Sequence, residues 1–232
     1  MLRDRSGRSV YRPWLRPPKR AYNGCVGQYF KVHPINPQLR LLSRAAEIVR
    51  AGGLIVYPTD STYAFGWHVG DKAALERVRA LRGIERDHDF TLACRDLSDI
   101  ATYARVENWA YRQLKALTPG PYTFVLRATP QLPKRLQDPK KRSIGIRVPD
   151  HTIAQALLGA LGEPLMSSTL LLPHDSLPLT EPEDIRDRLE KRVDAIIDGG
   201  ACGIEPTSVL DLSGGDVAVV RKGKGDVSAF GG

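Results

Sequence analysis

Apolar residues follow two patterns that alternate along residues 27–232: helical periods and short continuous runs. The first helical period lies between Asn36-Pro37 and Gly52-Gly53. Asparagine is favoured as an N-cap, proline at the first helical position and glycine after the last one, so we predict that a helix begins at Asn36 and ends before Gly52. The residues that form this period are Leu39, Leu42, Ala46 and Val49.

The same patterns predict the remaining elements, which are separated by turns rich in proline, glycine and aspartate. Further helices are predicted at 71–82 (capped by Asp71), 96–104, 107–117, 151–161 and 181–191. Strands are predicted at 54–57, 90–94, 122–128, 143–148, 164–172, 193–197, 207–212 and 217–222. The mixed order, with a run of strands at the end that looks antiparallel, favours one α/β (α+β) domain with a mixed sheet.

Residues 1–26 differ in composition from the rest of the chain. They carry seven basic side chains against one acidic side chain, Asp4, and show no helical period. Most of the net charge of +8 therefore lies in this segment. We predict a basic, flexible N-terminal arm at 1–26, and the domain at 27–232. An RNA-binding tail, a solvated extension and a start codon placed too far upstream are alternative interpretations of the arm.

The composition excludes several classes of protein. Hydrophobic residues make up 42% of the chain and charged residues 26%, as in ordinary globular proteins. No run approaches the ~20 apolar residues that would span a bilayer, and the first residues lack the apolar segment of a secretory signal. Neither the histidines nor Cys25, Cys94 and Cys202 have the spacing of a metal site. We therefore predict a cytoplasmic protein with no membrane association and no structural metal.

Polar residues and glycines gather in four segments where predicted strands begin or end. Segment 57–66 exposes hydroxyls and a carboxylate after a strand, and segment 118–126 contains a rigid Pro-Gly-Pro turn. Each is also consistent with an ordinary turn. Neither of the two common nucleotide fingerprints, the P-loop and G-x-G-x-x-G, is present.

The other two segments, 142–151 and 200–225, add cations. Arg147 lies in an apolar strand, so its guanidinium must meet an anion, a carboxylate or solvent, and a structural ion pair is an equal alternative. Arg221, Lys222 and Lys224 lie among glycines, which suits a phosphate, although a solvated basic turn has the same composition.

In this order and spacing, the segments resemble the YrdC-like family from about Gln28 to Phe230. The matching motifs are V-Y-P-T-D-S-T-Y-A-F-G, P-G-P-Y-T, I-G-I-R-V-P, P-T-S-V-L-D-L and V-V-R-K-G. The YciO branch is the most similar, since it shares D-S-x-Y-A-x-G, the segment from His88 to Ser98, D-R-L-E-K and G-x-G-D-V. The resemblance implies a single YrdC/RibB-like domain with a twisted mixed sheet flanked by helices.

The resemblance also implies a function, the synthesis of threonylcarbamoyl-adenylate from ATP, L-threonine and bicarbonate for the t6A modification of tRNA. Mg²⁺ would accompany ATP, no cofactor would be tightly bound, and other proteins of the t6A pathway would be partners. By position, Thr59, Arg147 and Ser208 would bind threonine. Arg82, Thr123, Thr169 and Arg221 would bind the nucleotide, with Arg82 and Thr169 as the catalytic residues.

The chain departs from the synthase pattern at two positions. The Lys-x-Arg pair is matched by Arg82 and Ile84, and Ser-x-Asn by Thr169 and Leu171. Each lost charge-assisted contact would cost about tenfold to 150-fold in transition-state binding, so two such losses would leave a slow enzyme or none. Two alternatives stay open: a non-catalytic protein that binds double-stranded RNA, tRNA or ribosomal RNA in translation, and an ATP-dependent transferase for another small amine or acid.

Overall fold

A computed structural model describes residues 26–84, 90–138 and 140–231. The predicted arm at 1–26, apart from Val26, lies outside the described residues, as does His88.

The described residues form one ten-stranded sheet with six α-helices. The strands are β1 (Gln28–Lys31), β2 (Ile55–Tyr57), β3 (Ala64–His68), β4 (Thr91–Ala93), β5 (Tyr122–Arg127), β6 (Ser143–Arg147), β7 (Leu165–Thr169), β8 (Ala195–Asp198), β9 (Ser208–Asp211) and β10 (Ala218–Arg221). The helices are α1 (Leu39–Arg50), α2 (Lys72–Arg82), α3 (Leu97–Tyr103), α4 (Asn108–Leu117), α5 (Thr152–Leu161) and α6 (Pro182–Leu189).

The sheet is mixed, in the order β1-β8-β2-β3-β7-β4-β6-β5-β9-β10. Parallel pairs join β1 to β8, β2 to β8, β4 to β6 and β5 to β9, and the other pairs are antiparallel. The predicted single α/β domain with a mixed sheet is confirmed. The antiparallel run expected at the end of the chain is wrong, because β8 and β9 both pair in parallel and only β10 returns antiparallel.

Two strands were not predicted, β1 and β3. All five residues of β3 are buried, because β2 and β7 flank it and helices cover both faces of the sheet there. Alternation of polar and apolar residues is therefore absent, and the sequence of this segment predicts only the end of a polar turn. β1 has no apolar run of its own and is a strand because it pairs with β8.

The predicted start of the first helix is also wrong. α1 is capped by Gln38 rather than Asn36. The backbone N–H of Asn36 donates to Nδ1 of His33 (3.1 Å), and Oε1 of Gln38 accepts from the backbone N–H of His33 (3.0 Å). This local network keeps the residues around Pro37 out of the helix. The cap predicted for α2 is confirmed, since Asp71 accepts from the N–H of Ala74 at 2.9 Å.

Two apolar cores lie on opposite faces of the sheet. One is formed with α2, α3, α4 and α6, and it extends across most of the sheet. The other is formed with α1 and α5 and reaches only as far as Ala93 of β4. Among the described residues, none from β5, β6, β9 or β10 belongs to this second core. We call the part of the second face that this core does not reach, over β4, β6, β5 and β9, the open face.

Candidate functional site

Four of the predicted site residues lie at one edge of the sheet. Arg147 ends β6, Thr123 is the second residue of β5, Ser208 begins β9 and Arg221 ends β10. β5 is antiparallel to β6 and parallel to β9, and β9 is antiparallel to β10. These four strand ends are therefore neighbours, although the residues are far apart in sequence.

The open face has a polar floor next to this edge. Side chains alternate along a strand, and the neighbours of Thr91, Gly145 and Thr123 in sequence point into the opposite core. A Cβ added to Gly145 would lie 3.2 Å from Cγ2 of Thr123 and 3.4 Å from Oγ1 of Thr91. The hydroxyl of Thr123 lies 2.8 Å from that of Thr207 on the next strand. The floor thus combines buried hydroxyl groups with a glycine that fits closely between two threonines.

Residues 58–63 between β2 and β3, which we call the 58–63 loop, hold Thr59. The hydroxyl of Thr59 is buried, donates to the carbonyl of Thr62 (2.6 Å) and lies 3.1 Å from Oγ of Ser61. These bonds close a compact turn that presents Asp60 and Ser61 to β6. Thr59 is therefore placed beside the site, and its hydroxyl shapes the loop.

Arg147 reaches this loop. Its Nη2 forms an ion pair with Oδ1 of Asp60, and its Nη1 donates to Oγ of Ser61 at 3.2 Å. The other carboxylate oxygen of Asp60 accepts from the backbone N–H of Asp150 at 3.2 Å. Both charged side chains are only 8% exposed. Of the alternatives that the sequence left open for Arg147, the structure contains the ion pair, while its Nε is buried and has no hydrogen-bond partner among the described residues.

Residues 222–226, which we call the glycine strap, cross the start of β9. Oγ of Ser208 donates to the carbonyl of Gly225 (2.5 Å) and accepts from the N–H of Gly223 (3.0 Å). The ammonium of Lys224 donates to the backbone carbonyl of Asp60. Ser208 therefore fixes the strap, and Lys224 connects the strap to the 58–63 loop.

Arg221 lies at the base of the strap, beside the hydroxyl floor. Its Nε and Nη2 donate to the carbonyl of Thr207 (3.1 and 2.8 Å), and Nη2 lies 3.3 Å from the hydroxyl of the same residue. Partial burial lowers the pKa of Arg221. Within the described part of the chain, the hydrogen bonds of this guanidinium all go to neutral oxygens of Thr207.

Arg82 and Thr169 meet at β7 from opposite sides. Arg82, at the end of α2, donates from Nη1 to Oγ of Ser168 (2.6 Å) and from Nε to the carbonyl of Leu171 (3.4 Å). Thr169 points to the other face of the strand and pairs with Ala64, directly after the 58–63 loop. The proposed catalytic pair is therefore split between the two faces at the end of β7.

Ile84, one of the two departures from the synthase pattern, packs against the core on the α2 side. Its position after Gly83, a left-handed residue with φ of 63°, turns it inward. The missing polar side chain is thus replaced by a core contact.

Two features of this site could not be found in the sequence. Asp60, the partner of Arg147, lies 87 residues away along the chain, and Lys224 contacts the carbonyl of a residue 164 positions away. The only signal for Lys224 is its place in a basic cluster between glycines.

The described residues contain no group of three or more His, Cys, Asp or Glu side chains that could hold a metal ion. None of their helices is both long and apolar enough to cross a membrane. Cys94 is buried, and burial raises the pKa of Cys202 to about 11, so that both are thiols at neutral pH.

Comparisons with known proteins agree with this architecture. The Sua5/YciO/YrdC family model, described as telomere recombination, matches residues 47–223. An Escherichia coli K12 protein named "Uncharacterized protein YciO" is 53% identical over 205 residues, which cover 88% of this chain and all of the relative. Its crystal structure superposes with a TM-score of 0.84, covering 88% of this chain and 99% of that one.

More distant relatives have a named activity. A threonylcarbamoyl-AMP synthase of Halorhodospira halophila is 30% identical over 175 residues, 74% of this chain and 90% of the relative. The structure of P. abyssi Sua5 complexed with L-threonine has the same fold, with a TM-score of 0.78 and 22% identity, and covers 87% of this chain and 59% of that one.

Proposed function

Because the chain belongs to the Sua5/YciO/YrdC family, we propose that it binds ATP and L-threonine at the edge of the open face and joins them with bicarbonate into threonylcarbamoyl-adenylate. The observation that supports this most is the meeting of Arg147, Thr123, Ser208 and Arg221 at neighbouring strand ends, next to a polar floor that the second core does not reach. Distinct family relatives, named threonylcarbamoyl-AMP synthase or solved with L-threonine, have the corresponding activity or ligand.

The reaction proceeds in two bond-forming steps. The amine of threonine attacks the carbon of bicarbonate, a C–O bond breaks, and water leaves to give a carbamate. A carbamate oxygen then attacks the α-phosphorus of ATP, the bond to the β-phosphate breaks, and pyrophosphate carries away the electron pair. Cations placed in advance around the phosphates stabilise the charge that develops in the second step.

The two ends of the site divide these tasks. Arg221 and the hydroxyl of Thr123 would contact the nucleotide, because they lie together on the polar floor. The 58–63 loop, with Arg147, would hold the amino acid. Mg²⁺ would enter as part of the MgATP substrate, bound mainly through phosphate oxygens.

The expected rate is low. Arg82 is bound to Ser168 of β7 and to Leu171 after it, and Ile84 packs against the core, so the charge that the synthases have at the second position is missing. We propose a slow synthase whose product serves tRNA modification.

The test is pyrophosphate release by the purified full chain with MgATP, L-threonine and bicarbonate. Thr123→Val keeps the shape of the side chain and removes its hydroxyl, and it should lower the rate about two- to tenfold. Thr102→Val, on the exposed side of α3, is the matched control and should leave the rate unchanged. Release no faster than in the protein-free control, even at high protein concentration, would rule out the synthase.

A second candidate function is RNA binding without chemistry, favoured by the loop before β6. Oδ1 of Asp138 accepts from the N–H groups of Lys140 (2.8 Å) and Lys141 (2.5 Å), and this turn exposes three consecutive basic side chains beside Arg127. The three are Lys140, Lys141 and Arg142. Phosphate contacts should make the affinity for duplex RNA or tRNA fall steeply with salt, and an affinity that stays flat would exclude this function.

A further inference from the structure

Lys224 is the cation at the 58–63 loop whose charge is not balanced. Its ammonium donates to the carbonyl of Asp60, which is a neutral group. This bond uses one of the three N–H donors of the ammonium. Among the described residues, Lys224 forms no ion pair. Its side chain is exposed, so a ligand can reach the ammonium from solvent.

The charge of Arg147, in contrast, is balanced by Asp60. Both carboxylate oxygens of Asp60 are occupied, one by Arg147 and one by the N–H of Asp150. Arg147 nevertheless retains a buried donor, Nε, that has no partner among the described residues. Two groups beside the 58–63 loop can therefore bind a ligand: the unbalanced positive charge of Lys224 and the unpaired Nε donor of Arg147.

The strap keeps Lys224 in this place. Gly223 and Gly225 on either side of it pack so tightly that an added Cβ would lie 2.3 Å from the carbonyl oxygen of Pro206 and 2.4 Å from the Tyr122 ring, respectively. The backbone N–H of Lys224 also donates to the carbonyl of Pro206 at 2.9 Å. Because the backbone is already held in place, ligand binding has to order only the side chain of Lys224.

We infer that Lys224 is a substrate-binding residue that contacts the carboxylate of the amino acid, with Nε of Arg147 as a second donor. A carboxylate needs one net positive charge and several donors; Lys224 supplies the charge and two donors, and Nε of Arg147 adds a third. The inference rests on the proposed function, since it names the residue that recognises the amino-acid substrate of that site.

The experiment measures binding of two probes to the full chain by calorimetry: L-threonine, and L-threoninol, in which a hydroxymethyl group replaces the carboxylate. Lys224→Gln should weaken L-threonine binding about tenfold to 150-fold and leave L-threoninol binding unchanged. Lys224→Arg keeps the charge and should restore most of the affinity for L-threonine. Lys222→Gln, an exposed lysine of the same strap, is the matched control and should change neither.

Two results would overturn the inference while the proposed function stands. One is wild-type affinity of Lys224→Gln for L-threonine. The other is an equal loss for both probes, which would mean that Lys224 only positions the loop. If the wild-type chain itself fails to bind L-threonine, the proposed function fails, and the inference fails with it.

Discussion

At the scale of single residues, Asp60 joins three distant parts of the chain. Its carboxylate contacts Arg147 and the backbone of Asp150, and its carbonyl contacts Lys224. Burying two opposite charges costs desolvation energy that their attraction only partly offsets. The pair therefore places the 58–63 loop at one position on β6 and adds little net stability, whereas removal of one partner leaves a buried charge alone.

Asp60→Asn tests this directly. The variant keeps the shape of the side chain but leaves Arg147 without a counter-charge, so the free energy of unfolding should fall by about 3 kcal/mol or more in urea denaturation. Glu47→Gln removes an exposed pair with Arg44, whose side chains are 59% and 53% exposed, and should cost less than about 1 kcal/mol. If both variants lose a similarly small free energy of unfolding, the buried ion pair between Asp60 and Arg147 is contradicted.

The sequence predicted Arg147 at this site but not its partner. A charged residue in an apolar strand is visible from the sequence alone, because it breaks the pattern. Which group meets it depends on how the 58–63 loop folds over β6, and no local pattern relates positions 60 and 147.

At the scale of elements, α5 is capped at its N-terminus by His151, and this cap depends on the protonation state of the imidazole ring. Nδ1 of His151 accepts from the N–H of Ala154 at 3.4 Å, which requires a neutral ring. Burial lowers the pKa of His151; Asp60 and Asp150 oppose the shift, while Arg147 and Lys224 add to it. In the folded state the ring therefore binds a proton less readily than the usual pKa of about 6.5 implies.

The lowered pKa of His151 makes the stability of the fold depend on pH. Between the lowered pKa of the folded state and about 6.5, the unfolded chain binds more protons than the folded one, so stability is complete above this window and falls as the pH decreases through it. His151→Asn keeps a favoured N-cap without a titratable ring. Urea denaturation from about pH 7 to about pH 5 should show a smaller loss of stability for the variant than for the wild type. An equal loss would contradict the role of His151.

The glycine strap gives a second prediction at this scale. Gly225→Ala would place a Cβ 2.4 Å from the Tyr122 ring, so backbone or ring must shift, at a cost of about 1–3 kcal/mol in thermal or urea unfolding. At Gly214 the nearest atom to an added Cβ is 3.7 Å away, so Gly214→Ala is the control and should be nearly neutral. If both substitutions are tolerated equally, the strap does not pack as described.

Elements that carry their own pattern were predicted well, and those defined by their neighbours were not. α2 has an Asp71 cap, a helical period and a terminal glycine, and it was placed almost to the residue. β3 was missed because a strand buried on both faces shows no alternation.

At the scale of the whole molecule, one of the two apolar cores extends across most of the sheet and the other covers only part of it. The core under α1 and α5 ends at β4, and near the strand ends beyond it the same face carries Thr123, Gly145 and Arg147. Such a face would be unstable as a core but suits a polar ligand. The fold and the four strand-end residues were predictable from motifs in order, whereas the separation of Arg82 from Thr169 by β7 depends on which face each helix covers.

A crystal structure of the full chain with L-threonine and a non-hydrolysable ATP analogue tests the proposed site most directly. We expect the nucleotide on the open face beside Thr123 and Arg221, with the amino acid between the 58–63 loop and Lys224. Ligands bound away from these strand ends, or Arg147 and Arg221 on separate surfaces with no ligand between them, would contradict the proposed site.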